Sequence, residues 1–138
     1  MRYYLDTNIL IFILQKKYDD LSALVLEILK DYSNLFYTSS VAVKELILLH
    51  RIGKVKNRRY KTESKILSEL KKSEIEIRFF NERHFSQYAE LAIVEGHKDM
   101  NDHAIIAQAM SDKIPLISSD QVFKHYISQG LDFVFNKR

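Results

Sequence analysis

Arg2-Tyr3-Tyr4-Leu5-Asp6-Thr7-Asn8-Ile9-Leu10-Ile11-Phe12-Ile13-Leu14 is the stretch that decides the fold. Arg2–Leu5 is a short β-prone run that stops at an aspartate. Thr7-Asn8 then opens an apolar helix from Ile9. A strand that hands over to a helix through an acidic corner is the first half of a crossover unit, and the rest of the chain repeats the pattern. Leu21–Tyr32 carries apolar residues at helical spacing (Leu21, Leu24, Val25, Ile28, Leu29). Leu35–Thr38 reads as a strand, and Ser39-Ser40 opens a helix over Val41–Ile52 that Gly53 closes. A basic connector, Lys54–Lys61, leads into an amphipathic helix over Thr62–Lys72. Ile75–Phe80 is a strand, Glu82–Glu95 a helix, Gly96–Asp99 a turn and Asn101–Asp112 a helix. Pro115–Ser118 is a strand, Gln121–Ser128 a helix and Asp132–Phe135 a last strand. Strands alternating with helices of this length imply crossovers and a parallel sheet covered on both faces. In such sheets ligands bind beyond the carboxyl ends of the strands, which is where functional residues are to be sought.

A length of 138 residues suits one domain spanning 1–138, since a chain of that size buries ~70% of its unfolded surface. No linker, internal repeat or low-complexity tract divides it. The absence of cysteine excludes a disulfide scaffold, a thiolate zinc site and a cysteine nucleophile. The longest unbroken apolar run, Ile9–Leu14, is too short for a signal peptide's apolar segment or a membrane span, so the expected location is the cytoplasm, without a membrane partner. The formal net charge of +3 conceals an asymmetry. Residues 51–72 hold nine basic side chains and two acidic ones, Glu63 and Glu69, so the remainder is acidic overall. A basic lobe on an acidic body suits a protein that meets a polyanion on one side.

Several carboxylates stand where the fold does not ask for them. Asp6 ends the first strand. Glu45 sits in a helix among Val41, Ala42, Leu48 and Leu49, on the face meant for the core. Asp99 and Asp102 flank the start of the helix bearing Ile105, Ile106 and Ala109, and Asp120 follows Leu116-Ile117 at a strand-to-helix turn. Each has an ordinary alternative. Asp6 and Asp120 are plausible helix caps, Asp99 and Asp102 have the spacing of a capping box, and Glu45 alone would be explained by a buried ion pair. Their concentration at one edge of a parallel sheet is harder to explain that way.

Converging carboxylates raise one another's pKa unless a cation compensates them. Oxygen-only donors, without cysteine or paired histidine, suit Mg²⁺, or Mn²⁺ as a substitute, rather than zinc. Magnesium on a few carboxylates is a device for phosphate chemistry. Competing phosphate chemistries fit poorly. There is no glycine-rich phosphate loop or dinucleotide fingerprint. Position 8 is Asn where a haloacid-type phosphotransferase needs a second Asp, and Ile75–Phe80 runs into Asn81 where a receiver domain needs its phospho-accepting Asp.

Taken in order, four segments resemble the motifs of the PIN-domain nucleases, in particular the VapC-like toxins. They are Leu5-Asp6-Thr7-Asn8, Ser40-Val41-Ala42-Val43-Lys44-Glu45-Leu46, the run from His97-Lys98-Asp99 through Asp102 to Ala109, and Leu116-Ile117-Ser118-Ser119-Asp120-Gln121-Val122-Phe123. The resemblance covers essentially the whole length. It departs at Met100-Asn101, which replaces a Pro-aromatic pair, and at His103, which stands where Arg is common.

The resemblance implies an α/β fold, a PIN-like three-layer α/β/α sandwich around a central, mainly parallel sheet of four or five strands. It implies Mg²⁺-dependent endoribonuclease activity, a homodimer and a cognate antitoxin. Carried over by position, Asp6, Glu45 and Asp102 are expected as catalytic metal ligands, Asp120 as the fourth acid and Asp99 as an accessory acid at the mouth. Thr7, Asn8 and Ser118 are expected to hydrogen-bond the ligating carboxylates. Lys54, Lys56, Arg58, Arg59 and Lys61, with Tyr60 for stacking, are expected to draw in RNA, although a solvated connector would look the same. His50, His84, His97, His103 and His125 lack ligand spacing and most read as surface residues, His103 alone being of interest beside Asp102. Two other readings compete. A catalytically inactive PIN-like module would bind RNA or protein without turnover, and a structure-specific DNA nuclease would need helical insertions for which 138 residues leave little room.

Overall fold

The computed structural model describes residues 1–55 and 62–138. Five strands form one sheet, β1 (Arg2–Leu5), β2 (Leu35–Ser39), β3 (Ile75–Arg78), β4 (Leu116–Ser118) and β5 (Phe133–Phe135), in the order β3-β2-β1-β4-β5. All four pairings are parallel, so each connection must cross over and bring a helical segment with it. Those segments are α1 (Thr7–Leu14), α2 (Ala23–Lys30), α3 (Ser40–Arg51), α4 (Ser64–Lys72), α5 (Glu82–Glu90) and α6 (Met100–Asp112), with 3₁₀ turns at Tyr18–Asp20 and Gln121–Gln129. This is the expected α/β architecture, at the upper of the two strand counts.

Alternation along the strands assigns the two faces. Tyr3 pairs with Phe36, and their rings stack at 6.1 Å between centroids. That face also carries Leu5 and Ile75, and with Ile13 of α1 and Leu26 and Leu29 of α2 they line an apolar cavity of about 460 Å³. Tyr4 and Tyr37, one residue along, turn the other way, and Tyr4 reaches Asp112 of α6. Leu5, Ile9, Leu10, Leu46, Ile105 and Ile106 are almost wholly buried, and each such side chain contributes roughly 1.5–3 kcal/mol.

Two helices differ from the sequence pattern. The helix expected over Glu82–Glu95 ends at Glu90, because the following backbone is taken by side chains from another segment. Ala92 exchanges two hydrogen bonds with the Gln129 amide, and the Val94 N–H donates to the Tyr126 hydroxyl. Gln121–Gln129 is a 3₁₀ segment rather than an α-helix. Its three-residue period puts Phe123 and Tyr126 on one face, and both are fully buried. The remaining boundaries agree closely. Gly53 ends α3 with φ at +79°, the left-handed conformation that glycine adopts without a side-chain clash.

Candidate functional site

The sheet register positions the first pair of candidate side chains. Leu5 of β1 lies opposite Ile117 of β4, so the next residues, Asp6 and Ser118, face each other at the carboxyl ends of neighbouring strands. The Ser118 hydroxyl donates to Asp6 Oδ2 at 2.6 Å, and the Asn8 amide donates to the same oxygen at 3.1 Å. Asp6 Oδ1 accepts the Thr7 N–H at 2.8 Å. Asp6 is therefore a helix cap, the ordinary alternative for its position, and the cap occupies one of its two oxygens. Asn8 Oδ1 takes the Ser119 N–H, and Ser118 Oγ takes the Asp120 N–H, each at 3.1 Å. Asn8 and Ser118 thus fasten the end of β1 to the end of β4. Thr7 contributes its backbone. Its hydroxyl is buried without a hydrogen-bond partner among the described residues.

Glu45 arrives from the other side of β1. Ser39 ends β2 and caps α3 by accepting the Val41 N–H, which starts that helix next to the end of β1. Glu45, half-buried, follows one turn later, and its Oε2 accepts the Asn101 amide at 3.3 Å. That bond links α3 to the first turn of α6. Asp99 caps α6, its Oδ1 accepting the N–H groups of Asn101 and Asp102 at 2.9 and 3.2 Å. It is exposed, whereas the Asp102 side chain is only 13% exposed. Asp120 caps the segment after β4 through the Val122 N–H at 3.1 Å.

The electrostatics tie these groups into one cluster. Burial pushes the Asp6 carboxyl up to about 7. The Ser118 hydrogen bond opposes that rise, while Asp102 and then Glu45 reinforce it. Burial likewise pushes Asp102 up to about 8, followed by repulsion from Asp99, Asp120 and Glu45. Side chains from four separate segments thus act on each other's charge. As placed, no three His, Asp or Glu side chains among the described residues surround a common point at ligand distances. Each acid is instead turned partly onto a protein donor. Among the described residues, Asp102 Oδ1, Glu45 Oε1 and Asp120 Oδ2 accept no hydrogen bond, so each of these acids keeps one oxygen uncommitted. Hard, anionic oxygen donors that repel one another fit a divalent cation such as Mg²⁺ or Mn²⁺.

The histidines depart from their expected surface positions. His84, His97 and His103 are buried. His97, not His103, meets the acid, with its Nε2 3.0 Å from Asp102 Oδ2. His103 instead donates from Nε2 to the His97 carbonyl at 2.8 Å. No periodic signal marks His97, because it precedes α6 and helical spacing does not extend to it. Asn101 was visible only as a departure from a motif. Of the basic side chains expected to meet RNA, Lys54 is exposed. Lys56, Arg58, Arg59 and Lys61, with Tyr60, lie outside the described residues. A further cavity, of about 430 Å³, opens beside Glu45 between Lys44, Ile47, Leu48, Arg51 and Asn101.

Among curated proteins, none matches the chain in sequence. Among solved structures it is similar to VapBC2 from Rickettsia felis bound to a DNA fragment from its promoter, at 23% identity, covering 99% of this chain and 100% of that one, with a TM-score of 0.69. DNA-bound VapBC from Salmonella typhimurium is similar at 20% identity over 98% of both chains, with a TM-score of 0.68. VapBC-5 from Mycobacterium tuberculosis, a member of the VapBC family of toxin–antitoxin systems, is similar at 18% identity over 99% and 98% of the two chains, with a TM-score of 0.58. At these identities the likeness is one of fold. The PIN domain description matches residues 3–127. That span takes in every acid of the cluster, from the end of β1 to the turn after β4, and on it the chain belongs to the PIN domain family.

Proposed function

We propose that the protein is a Mg²⁺-dependent endoribonuclease, with Mn²⁺ as a substitute, acting as the toxin of a toxin–antitoxin pair. One observation carries the reading: Asp6, Glu45, Asp99, Asp102 and Asp120 come from distant parts of the chain, and the buried members of the set feel one another's charge. The cation would supply Lewis-acid charge for an in-line attack on the phosphodiester, leaving 5′-phosphate and 3′-hydroxyl ends. Asp6, Glu45 and Asp102 would hold it, with Asp120 completing the set or orienting the attacking water. Asp99, exposed and already committed to capping α6, belongs at the mouth.

The protein's own part is positioning. Ser118, Asn8 and the Thr7 N–H fix both oxygens of Asp6. Asn101 fixes one oxygen of Glu45, leaving the other for a ligand. An acidic site repels RNA, so cationic side chains must draw the strand in. Lys44 and Arg51, lining the cavity beside Glu45, join the basic residues 54–61 as candidates. The partner readings follow the solved assemblies. Similar chains come from complexes named VapBC, two of them bound to DNA, and a cognate antitoxin and a homodimer are proposed here on that likeness.

The test is cleavage of structured RNA by purified protein with and without Mg²⁺, alongside Asp6→Asn. Metal-dependent cleavage that Asp6→Asn abolishes while the fold is retained is the expected result. No cleavage by the wild-type protein, or equal cleavage by Asp6→Asn, overturns the assignment and favours a binding module.

A further inference from the structure

We propose that His97 is a positioning residue for Asp102, held in one tautomer by Tyr126 so that it presents the carboxylate in a fixed orientation. This rests on the metal-dependent nuclease reading above and adds a residue that the acidic motifs do not contain.

Valence assigns the hydrogens. With a divalent cation bound, Asp102 would be an ionised carboxylate, which only accepts hydrogen bonds, so His97 Nε2, 3.0 Å from Asp102 Oδ2, would be the protonated nitrogen. In a neutral imidazole that leaves Nδ1 as an acceptor. The Tyr126 hydroxyl lies 2.7 Å from it and donates there. The Tyr126 oxygen in turn accepts the Val94 N–H at 3.1 Å. The series runs from the Val94 N–H through Tyr126 and His97 to Asp102, each donor matched to one acceptor. The opposite tautomer would leave Nε2 as an acceptor facing an acceptor.

The ring is also held in place. Its backbone carbonyl takes the His103 Nε2–H, and the His103 ring packs edge-on against it at 4.6 Å between centroids. Tyr126 is fully buried, and His97 is 8% exposed. The same segment is fastened at Ala92 by the Gln129 amide. Committing Oδ2 to His97 leaves Oδ1 as the oxygen of Asp102 available for ligation. Hydrogen-bonded supports of this kind typically alter metal affinity by about 10–100-fold when removed.

The experiment measures Mn²⁺ affinity by electron paramagnetic resonance and RNA cleavage, as kcat and KM, for the wild type, His97→Leu, His97→Asn, His97→Gln and Tyr126→Phe. Glutamine places an amide N–H where Nε2 stands; asparagine is equally polar but too short. The expected pattern is a loss of about 10–100-fold in Mn²⁺ affinity and in kcat for Leu and Asn. KM for RNA should hold steady, Gln should stay near the wild type, and Tyr126→Phe should fall between. Equal affinities for Asn, Gln and wild type overturn the proposal. If His97→Leu does not fold, the Asn–Gln contrast decides alone. A nitrogen-15 spectrum of the Mg²⁺-loaded wild type gives a second decision: protonated Nε2 and bare Nδ1 are expected, and a protonated Nδ1 overturns the tautomer. A wild type that neither binds Mn²⁺ nor cleaves RNA would instead bring down the nuclease reading itself, an outcome visible before any variant is made.

Discussion

Ser118 Oγ lies 2.6 Å from Asp6 Oδ2, a hydrogen bond between residues 112 positions apart that joins the ends of two adjacent parallel strands. Because Ser118 also accepts the Asp120 N–H and lies 3.2 Å from the Asn8 amide, it is the hub of the site's β1–β4 side. Ser118→Ala removes the donor that stabilises the ionised form of a buried carboxylate. It is expected to weaken Mn²⁺ affinity by about 10–100-fold and to lower stability by about 1–3 kcal/mol. Titration calorimetry and urea unfolding check the two effects, and an unaltered Mn²⁺ affinity would count against the site.

Asp6 and Asp102 make the metal-free protein sensitive to alkali. Their carboxyls are raised from 3.8 to about 7 and about 8, so the folded chain keeps protons that the unfolded chain has released. Stability from these groups is complete below the unfolded value of about 4 and is lost as pH rises through the folded values. The melting temperature is expected to fall between about pH 5 and about pH 8.5 and to fall less in Asp6→Asn. Differential scanning fluorimetry checks this. Added Mg²⁺ should restore the high-pH melting temperature of the wild type and leave Asp6→Asn almost unchanged.

Asp112 supplies a control outside the cluster. It accepts from the Tyr4 hydroxyl, the His84 ring and Arg83, which locks α5 and α6 against the sheet. Burial opposes its ionisation, but the hydrogen bonds from Tyr4 and His84 prevail and hold its carboxyl below the usual range. Its contribution is present above about pH 4 and lost as pH falls further, the reverse of the two site acids. Asp112→Ala is expected to cost about 2–4 kcal/mol in unfolding experiments while RNA cleavage at low temperature is retained.

Charge reversal at Arg58 and Arg59 is expected to weaken RNA binding and to flatten its dependence on salt, since fewer counterions are released. Filter binding over a salt series measures the slope. An unchanged slope would make residues 54–61 a solvated connector and leave Lys44 and Arg51 as the cations beside the site.

The order of elements and the five strands were legible because each strand is a short β-prone run, and all but the last are followed by a helix opener. Gly53 marked the end of α3 for a reason that is local in sequence. Glu45 stood out because a carboxylate among leucines breaks the pattern around it; in the structure it is half-buried, and Leu48 on the same helix is exposed. What escaped was nonlocal. The end of α5 at Glu90 depends on Gln129 and Tyr126 claiming backbone groups of the next residues, and no window around Glu90 contains them. His97 escaped for the same reason, since its partner Tyr126 is 29 residues away. The tendency to place histidines at the surface also failed, because three of these rings find buried partners.

The strand order has a consequence for the making of the protein. β1 is the middle strand, and its neighbour β4 is among the last elements in the chain. A ribosome that has released the polypeptide only through α5 has delivered Asp6 and Glu45 without Asp102, Asp120 or the Ser118 hydroxyl. On the proposed reading, the set of acids stays incomplete until translation has passed the turn after β4.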